Sequence, residues 1–243
     1  MILRIFTGMM MLPVLALAGC ISAQGRTVGD PLQPMNRAIF GFNTVVDKTV
    51  LIPAAKTYKA VAPEPARDGI RNIIANLHSP VILLNDLLQG EWKRAGDTAA
   101  RFVMNTSFGI GGLFDVARRH GIARHKEDFG QTMARAGITA GPYLVLPLLG
   151  PSSFRDALGR VPDHFMSPVT YTRFDGKNTF NEARRGAEVI DKRSRNLNAV
   201  KKLRRDSLDE YASVRDLYWQ TRKDEIANHV FEAQSLPDFD TGE

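Results

Sequence analysis

A single cysteine, Cys20, stands in a chain of 243 residues. That count removes intramolecular disulfides, a four-cysteine zinc site and any Cys-x-x-Cys redox pair. Whatever this chain folds into must be held by packing and polar contacts alone. Length permits that, since one large domain or two small ones can bury roughly 70–75% of the unfolded surface without staples. With 44% hydrophobic and 24% charged residues, the balance is that of a globular chain rather than a disordered one.

The position of the cysteine explains its isolation. Residues 1–4 form a short n-region carrying Arg4, residues 5–16 are mostly apolar, and Leu17-Ala18-Gly19-Cys20 closes the segment with small residues. This resembles the bacterial lipobox. The resemblance implies a diacylglycerol on the Cys20 thiol, cleavage just before it, and acylation of the new amino group. One acyl chain anchors only marginally, at ~0.8 kcal/mol per buried methylene, so stable anchoring takes two signals. An ordinary secretory signal or a short membrane helix are the alternatives, but the apolar stretch falls short of the ~20 residues a span requires. Ile21 and Ser22 follow the cysteine, where lipoproteins kept in the inner membrane resemble one another in carrying aspartate; outer-membrane sorting is therefore expected. Residues 21–29 read as a polar tether.

Beyond the tether the spacing is helical. Met35, Ile39, Phe42 and Val46 form a one-sided stripe that predicts a helix ending at Ile52-Pro53. Pro53 and Pro63 delimit a second helix. A third carries Ile70, Ile73, Ile74 and Leu77 and is expected to end before Ser79-Pro80. Ser79 then caps a fourth over 81–89, with Gly90 at C′. Trp92, Ala95, Ala99, Phe102 and Val103 mark the next helix, which Gly109, Gly111 and Gly112 interrupt. Residues 113–119 make another turn or two, and 120–141 read as irregular. Thr179-x-x-Glu182 and Ser207-x-x-Glu210 are capping boxes predicting two C-terminal helices, the second with Leu208, Tyr211, Val214 and Tyr218 on one stripe.

Motifs for chemistry are scarce. None of the five histidines stands in a His-Glu-x-x-His arrangement or beside a second ligand at metal spacing, so neither a metal nor another cofactor is expected. There is no Gly-x-Ser-x-Gly elbow. Gly109-Ile110-Gly111-Gly112 lacks the third glycine and the preceding strand of a nucleotide loop, and reads as close helix packing. Between 184 and 205 nine basic residues stand against two acidic ones. Export leaves this stretch either simply solvated or facing anionic lipid head groups or an acidic partner, and removes nucleic acid as a partner. The apolar run 141–151, with Tyr143, Leu144, Val145, Leu146, Leu148 and Leu149, is fenced by prolines that forbid a regular central strand. It reads as either a membrane-contacting surface or a buried connection.

Several blocks together resemble the MlaA/VacJ family of outer-membrane lipoproteins. They are Asp30-Pro31-Leu32 with Asn36-Arg37 and Phe42-Asn43; Pro63-Glu64-Pro65-Ala66-Arg67; Asn85-Asp86-Leu87-Leu88-Gln89-Gly90; Arg101-Phe102 with Asn105-Thr106; Asp128-Phe129-Gly130-Gln131-Thr132; and Gly141-Pro142-Tyr143 with Gly150-Pro151 and Arg155-Asp156. The resemblance implies an all-α fold, a single membrane-embedded, ring-like helical domain with an amphipathic central passage. It divides the chain into a signal peptide (1–19), an acylated tether (20–29), the helical domain (30–235) and a flexible tail (236–243). It also implies a non-enzymatic role: removing misplaced phospholipids from the outer leaflet beside a trimeric porin and passing them to a soluble periplasmic lipid carrier. On this reading Phe102, Val103, Asn105, Ile110, Leu113 and Phe114 are candidates for lining the passage. Gly121, Gly130, Gly137 and Gly141 are hinge candidates in a gate loop over 120–141. The rival readings are a lipoprotein that tethers a porin or the cell wall and a membrane-anchored lipid hydrolase.

Overall fold

Proline divides the first half of the chain less than the sequence predicts. The computed structural model describes residues 30–228, so the signal segment, Cys20, the tether and the tail lie outside the described residues. Helices α1 (Gln33–Val46) and α2 (Ile52–Val61) are joined without a break by a π-helical turn, Asp47–Leu51. In that turn the Ile52 N–H donates five residues back, to the Asp47 carbonyl. The wider turn relieves the clash a proline ring makes with the carbonyl four residues earlier. The stop expected at Ile52-Pro53 is thus replaced by a continuous run, Gln33–Val61.

The break expected at Ser79-Pro80 is also absent. Helix α3 spans Glu64–Leu88 with Pro80 inside it. Pro80 cannot donate, but the Ser79 hydroxyl donates to the Ala75 carbonyl at 3.2 Å, and Val81 and Ile82 just beyond are buried. Their packing outweighs one missing bond. Gly90 does end the helix as predicted: at φ +75° its N–H reaches Leu87 O, and the Glu91 N–H reaches Asp86 O, a Schellman cap.

Helix α4 (Trp92–Ser107) returns along α3 and ends in a turn where Ile110, Gly111 and Gly112 all take positive φ. A Cβ on Gly112 would lie 2.5 Å from the Asn76 Cβ of α3, so the glycine-rich motif serves close packing. After α5 (Val116–Arg119), the stretch 120–141 is not irregular throughout. It contains α6 (Phe129–Arg135), whose N-cap Asp128 accepts from the Gln131 N–H at 3.0 Å. The run 141–151 folds into a hairpin of β1 (Tyr143–Leu146) and antiparallel β2 (Gly150–Ser153), with Tyr143 opposite Ser153 and Leu146 opposite Gly150. A two-stranded sheet has only edges, where Pro151 is tolerated.

Helices α7 (Phe154–Met166), α8 (Lys177–Arg195), α9 (Leu197–Asp206) and α10 (Glu210–Ile226) complete the described residues. Neither capping box forms. Left-handed Gly176 starts α8 before Thr179 is reached. At the second box Asp209, a charged acceptor, caps α10 through the Ala212 N–H, while Ser207 donates back to Leu203 O and closes α9. Of the predicted stripe, Tyr211 is buried with Tyr143 and Val145 against Phe40 and Trp219, whereas Leu208 is fully exposed.

The fold is all-α apart from the hairpin, and its polarity is unusual. Among the described residues the buried set holds eight hydrophobic side chains and fifteen polar or charged ones, while twenty-six large hydrophobic side chains are exposed. Phe154, Leu158, Val161 and Phe165 form one such exposed stripe along α7.

Candidate functional site

The hairpin is positioned by two asparagines seven residues apart on α1. Asn36 Nδ2 donates to Tyr143 O at 2.9 Å and its Oδ1 accepts from the Val145 N–H at 2.9 Å. Asn43 repeats the pattern with Leu146 O (3.0 Å) and the Leu148 N–H (2.8 Å). Each amide imitates the peptide group of a neighbouring strand, so the free edge of β1 is paired to a helix. Tyr143 and Val145 are held inside; at the hairpin tip Leu148 and Leu149 are exposed, and Leu144 and Leu146 are half-buried. Of the six membrane-contact candidates, Tyr143 and Val145 are therefore core residues.

A second polar assembly joins α3, α4 and the loop before α6. His125 Nε2 lies 3.0 Å from both Asp86 oxygens, and the Thr98 hydroxyl donates to Asp86 at 2.7 Å. Arg94 pairs with Glu127 at 2.5 Å, and Gln89 donates to the other Glu127 oxygen at 2.8 Å. Burial pushes the Glu127 carboxyl upward against the pull of Gln89 and Arg94. Asp86, His125 and Glu127 could jointly hold a cation, their ligand atoms lying within 4.8 Å of one another. Arg94 already supplies positive charge there. Linear spacing did not reveal this cluster, because Asp86 lies 39 residues before His125.

Nearby, Arg101 grips Asp115 with two bonds and donates to Ile122 O, and Asn105 donates to Asp115 and accepts from the Ala117 N–H. Burial opposes the charge on Asp115, but Arg101 outweighs it and holds the carboxyl below the usual range. Arg124 reaches Asn72 and Asp115. The loop at 120–128 is thus pinned at Arg124, His125 and Glu127.

A third assembly fixes the C-terminal helix. Arg222 of α10 pairs with Asp128 (2.6 Å) and Asp156 (2.8 Å), and the Tyr218 hydroxyl donates to Asp156. Burial raises both carboxyls, yet Arg222 holds each below its ordinary value. The neighbouring Asp163 has no ion-pair partner among the described residues. Burial pushes its carboxyl up to about 6, although Asn85 and the Phe129 N–H both donate to it.

Asp163 borders a cavity of about 550 Å³ between α3, α7 and α8, whose wall also carries His78, Arg160, Lys177, Arg184 and Arg185. Much of the remaining basic stretch is occupied internally. Arg193 and Arg204 both pair with Asp47 of the π turn, Arg204 also with Glu210, and Arg195 with Asp191.

The residues expected to line a passage do not share one cavity. Phe102 is half-buried; Val103, Ile110 and Phe114 are exposed. Asn105, 5% exposed, borders a void of about 30 Å³ and serves the Asp115 assembly. Leu113 packs beneath Gly69 and borders a groove with Phe114. Of the hinge candidates, Gly121, Gly137 and Gly141 have positive φ. Gly130 does not; it lies within α6, where the Cβ that Gly159 of α7 lacks would come 2.5 Å from the Gly130 nitrogen. The pocket between α3, α7 and α8 was missed, its only sequence signal being the Arg184-Arg185 pair.

Comparison with known proteins bears on this arrangement. Residues 28–225 match the MlaA lipoprotein family. The "Intermembrane phospholipid transport system lipoprotein MlaA" of Escherichia coli (strain K12) is 35% identical, over 87% of this chain and 84% of that protein. Its namesake from Haemophilus influenzae is 34% identical, over 94% of each. A chain solved in work on the "structural basis for maintenance of bacterial outer membrane lipid asymmetry" superposes with a TM-score of 0.74 at 34% identity, covering 82% of this chain and 99% of that one. With a fold and blocks shared over most of its length, this chain belongs to the MlaA lipoprotein family.

Proposed function

We propose that this protein is the outer-membrane lipoprotein of an intermembrane phospholipid transport system. It removes misplaced phospholipids from the outer leaflet and passes them to a soluble periplasmic carrier, working beside a trimeric porin. The observation that carries the reading is the inverted polarity: charged and amide side chains inside, and large apolar side chains outside, including the α7 stripe and the hairpin tip. An exposed apolar surface of that extent suits acyl chains, and helices satisfy their own backbone bonds when embedded in them. On this reading the body sits in the inner leaflet, anchored by acylated Cys20, with Leu148, Leu149, Ile110 and Phe114 reaching lipid. The movable gate is confined to 120–128, and opening it requires the Arg124, His125 and Glu127 contacts to break.

The family relationship supports transport rather than catalysis. The Thr98–His125–Asp86 group is poorly arranged for hydrolysis: Thr98 is buried, and its hydroxyl donates at 2.7 Å to Asp86, the same carboxylate that His125 Nε2 meets at 3.0 Å, while His125 Nε2 lies 3.3 Å from that hydroxyl. The experiment is surface phospholipid content in cells lacking the protein, complemented by wild type or by Cys20→Ala, using a label that reaches only the outer leaflet. Surface phospholipid should rise on deletion and fall only with the acylatable protein. No rise on deletion would move the role to tethering.

A further inference from the structure

Two buried carboxylates with too little positive charge beside them are left unused by the transport reading. Asp86 of α3 is fully buried and Glu127 is 2% exposed. Among the described residues Arg94 is the one guanidinium within ion-pair distance of either, at 2.5 Å from Glu127 and 3.8 Å from Asp86. With the His125 ring neutral, as ligation through its Nε2 requires, two negative charges stand against one positive charge away from water. Burying charge without full compensation is costly.

His125 completes a set of ligand atoms. Its Nε2 lies 3.0 Å from both Asp86 oxygens, close to the roughly 3.3 Å between donors around a tetrahedral zinc ion. Ligand atoms of Asp86, His125 and Glu127 all lie within 4.8 Å of one another, so a rotation of the Glu127 side chain brings three donors around one point. Each carboxylate is already oriented from outside: the Thr98 hydroxyl donates to Asp86 at 2.7 Å and the Gln89 amide to Glu127 at 2.8 Å. Outer hydrogen bonds of this kind fix the direction of metal ligands. His125 and Arg94 also wall a cavity of about 810 Å³, and both side chains keep some exposure. An ion has a route in, and Arg94 has space into which to withdraw.

We propose that Asp86, His125 and Glu127 bind a divalent transition-metal ion of the zinc class, and that the ion clamps the 120–128 loop to α3. An imidazole nitrogen with two carboxylates suits Zn²⁺, whereas Ca²⁺ takes six to eight oxygen ligands. Three protein ligands leave a fourth position for water. On occupation the Arg94–Glu127 pair is exchanged for metal–carboxylate bonds, and Asp86 of the helix is joined to His125 and Glu127 of the loop. The site goes beyond the transport reading and does not depend on it.

The test uses the full-length acylated protein in detergent, purified without a histidine tag, stripped with a chelator and titrated separately with Zn²⁺, Co²⁺ and Ca²⁺. Wild type should bind one Zn²⁺, and Co²⁺ should give the intense visible absorption of a four-coordinate site, which excess Zn²⁺ removes. His125→Ala and Glu127→Gln should each weaken Zn²⁺ by more than the ~10–100-fold that loss of an outer-shell partner costs. His164→Ala, which alters an exposed histidine of α7, should bind as wild type. Arg94→Gln removes the competing cation and should bind Zn²⁺ more tightly than wild type. Zn²⁺ should also slow amide hydrogen exchange across 122–127, and the chelator should reverse this. Wild type that takes up no Zn²⁺, an affinity unchanged in His125→Ala, or an Arg94→Gln variant weakened as much as the ligand variants would overturn the site. Ca²⁺ competing equally with Zn²⁺ would overturn the choice of metal, and Zn²⁺ binding that leaves the exchange unchanged would overturn the clamp. None of these readouts involves lipid, so their failure is distinct from a failure of the transport reading.

Discussion

Asn36 and Asn43 show how much a single side chain decides here. At α-helical spacing two positions seven apart share a face, and each amide meets one N–H and one C=O of the hairpin, leaving neither group of the edge unpaired. Asp163 is the opposite case, a half-buried carboxyl with no ion pair among the described residues. Its folded-state value of about 6 lies above the unfolded 3.8, so the folded protein holds the proton more tightly. Its ionisation therefore costs no stability below about pH 4, costs progressively more as pH rises toward 6, and costs the full amount above that. Asp163→Asn keeps an acceptor for the Phe129 N–H and removes the charge. The variant should melt higher than wild type at pH 7–8 and equally at pH 4, as followed by circular dichroism. A gain that is the same at both pH values would contradict the assignment.

At the scale of elements, glycine sets the distances. Helices α6 and α7 cross where Gly159 meets the backbone of Gly130, and a Cβ at Gly159 would lie 2.5 Å from a backbone nitrogen that cannot turn aside. Gly159→Ala must push the helices apart and strain the Arg222 pairs with Asp128 and Asp156 that lie alongside. A loss of about 2–4 kcal/mol in denaturant unfolding is expected, in the range of overpacked and disrupted polar sites. Gly186→Ala, where a Cβ would meet open space, should be neutral or slightly stabilising, since alanine is the better helix former. The π turn acts similarly on a larger element. It admits Pro53 into a continuous helix and presents Asp47 to Arg193 and Arg204, tying the first helical run to α8 and α9.

For the whole molecule, the distribution of apolar surface sets the expectation. A nitroxide at Leu158→Cys on the α7 stripe should be accessible to dissolved oxygen and shielded from a water-soluble nickel chelate in vesicles of phosphatidylethanolamine and phosphatidylglycerol. At Arg205→Cys on α9 the accessibilities should reverse. Equal nickel accessibility at both positions would place the α7 stripe in water, against inner-leaflet embedding.

Sequence by itself determined the helical class, the Gly90 stop, the tight glycine turn at 109–112 and the expectation of an acylated Cys20, because each depends on local backbone preferences or a contiguous motif. It also carried the family, through blocks spread over more than half the chain. What it misjudged was equally local: prolines read as breaks, capping boxes read as starts, and 120–141 read as loop throughout. In each case a non-local partner or a competing neighbour won, whether the π turn around Pro53, Asp209 over Ser207, or the packing of α6 on α7. The Asp86–His125–Glu127 assembly, the division of the basic stretch into paired and unpaired arginines, and the cavity they border were decided only by tertiary structure. Their members lie tens of residues apart, and electrostatic and hydrogen-bonding energies depend on distance in space, which no spacing along the chain records.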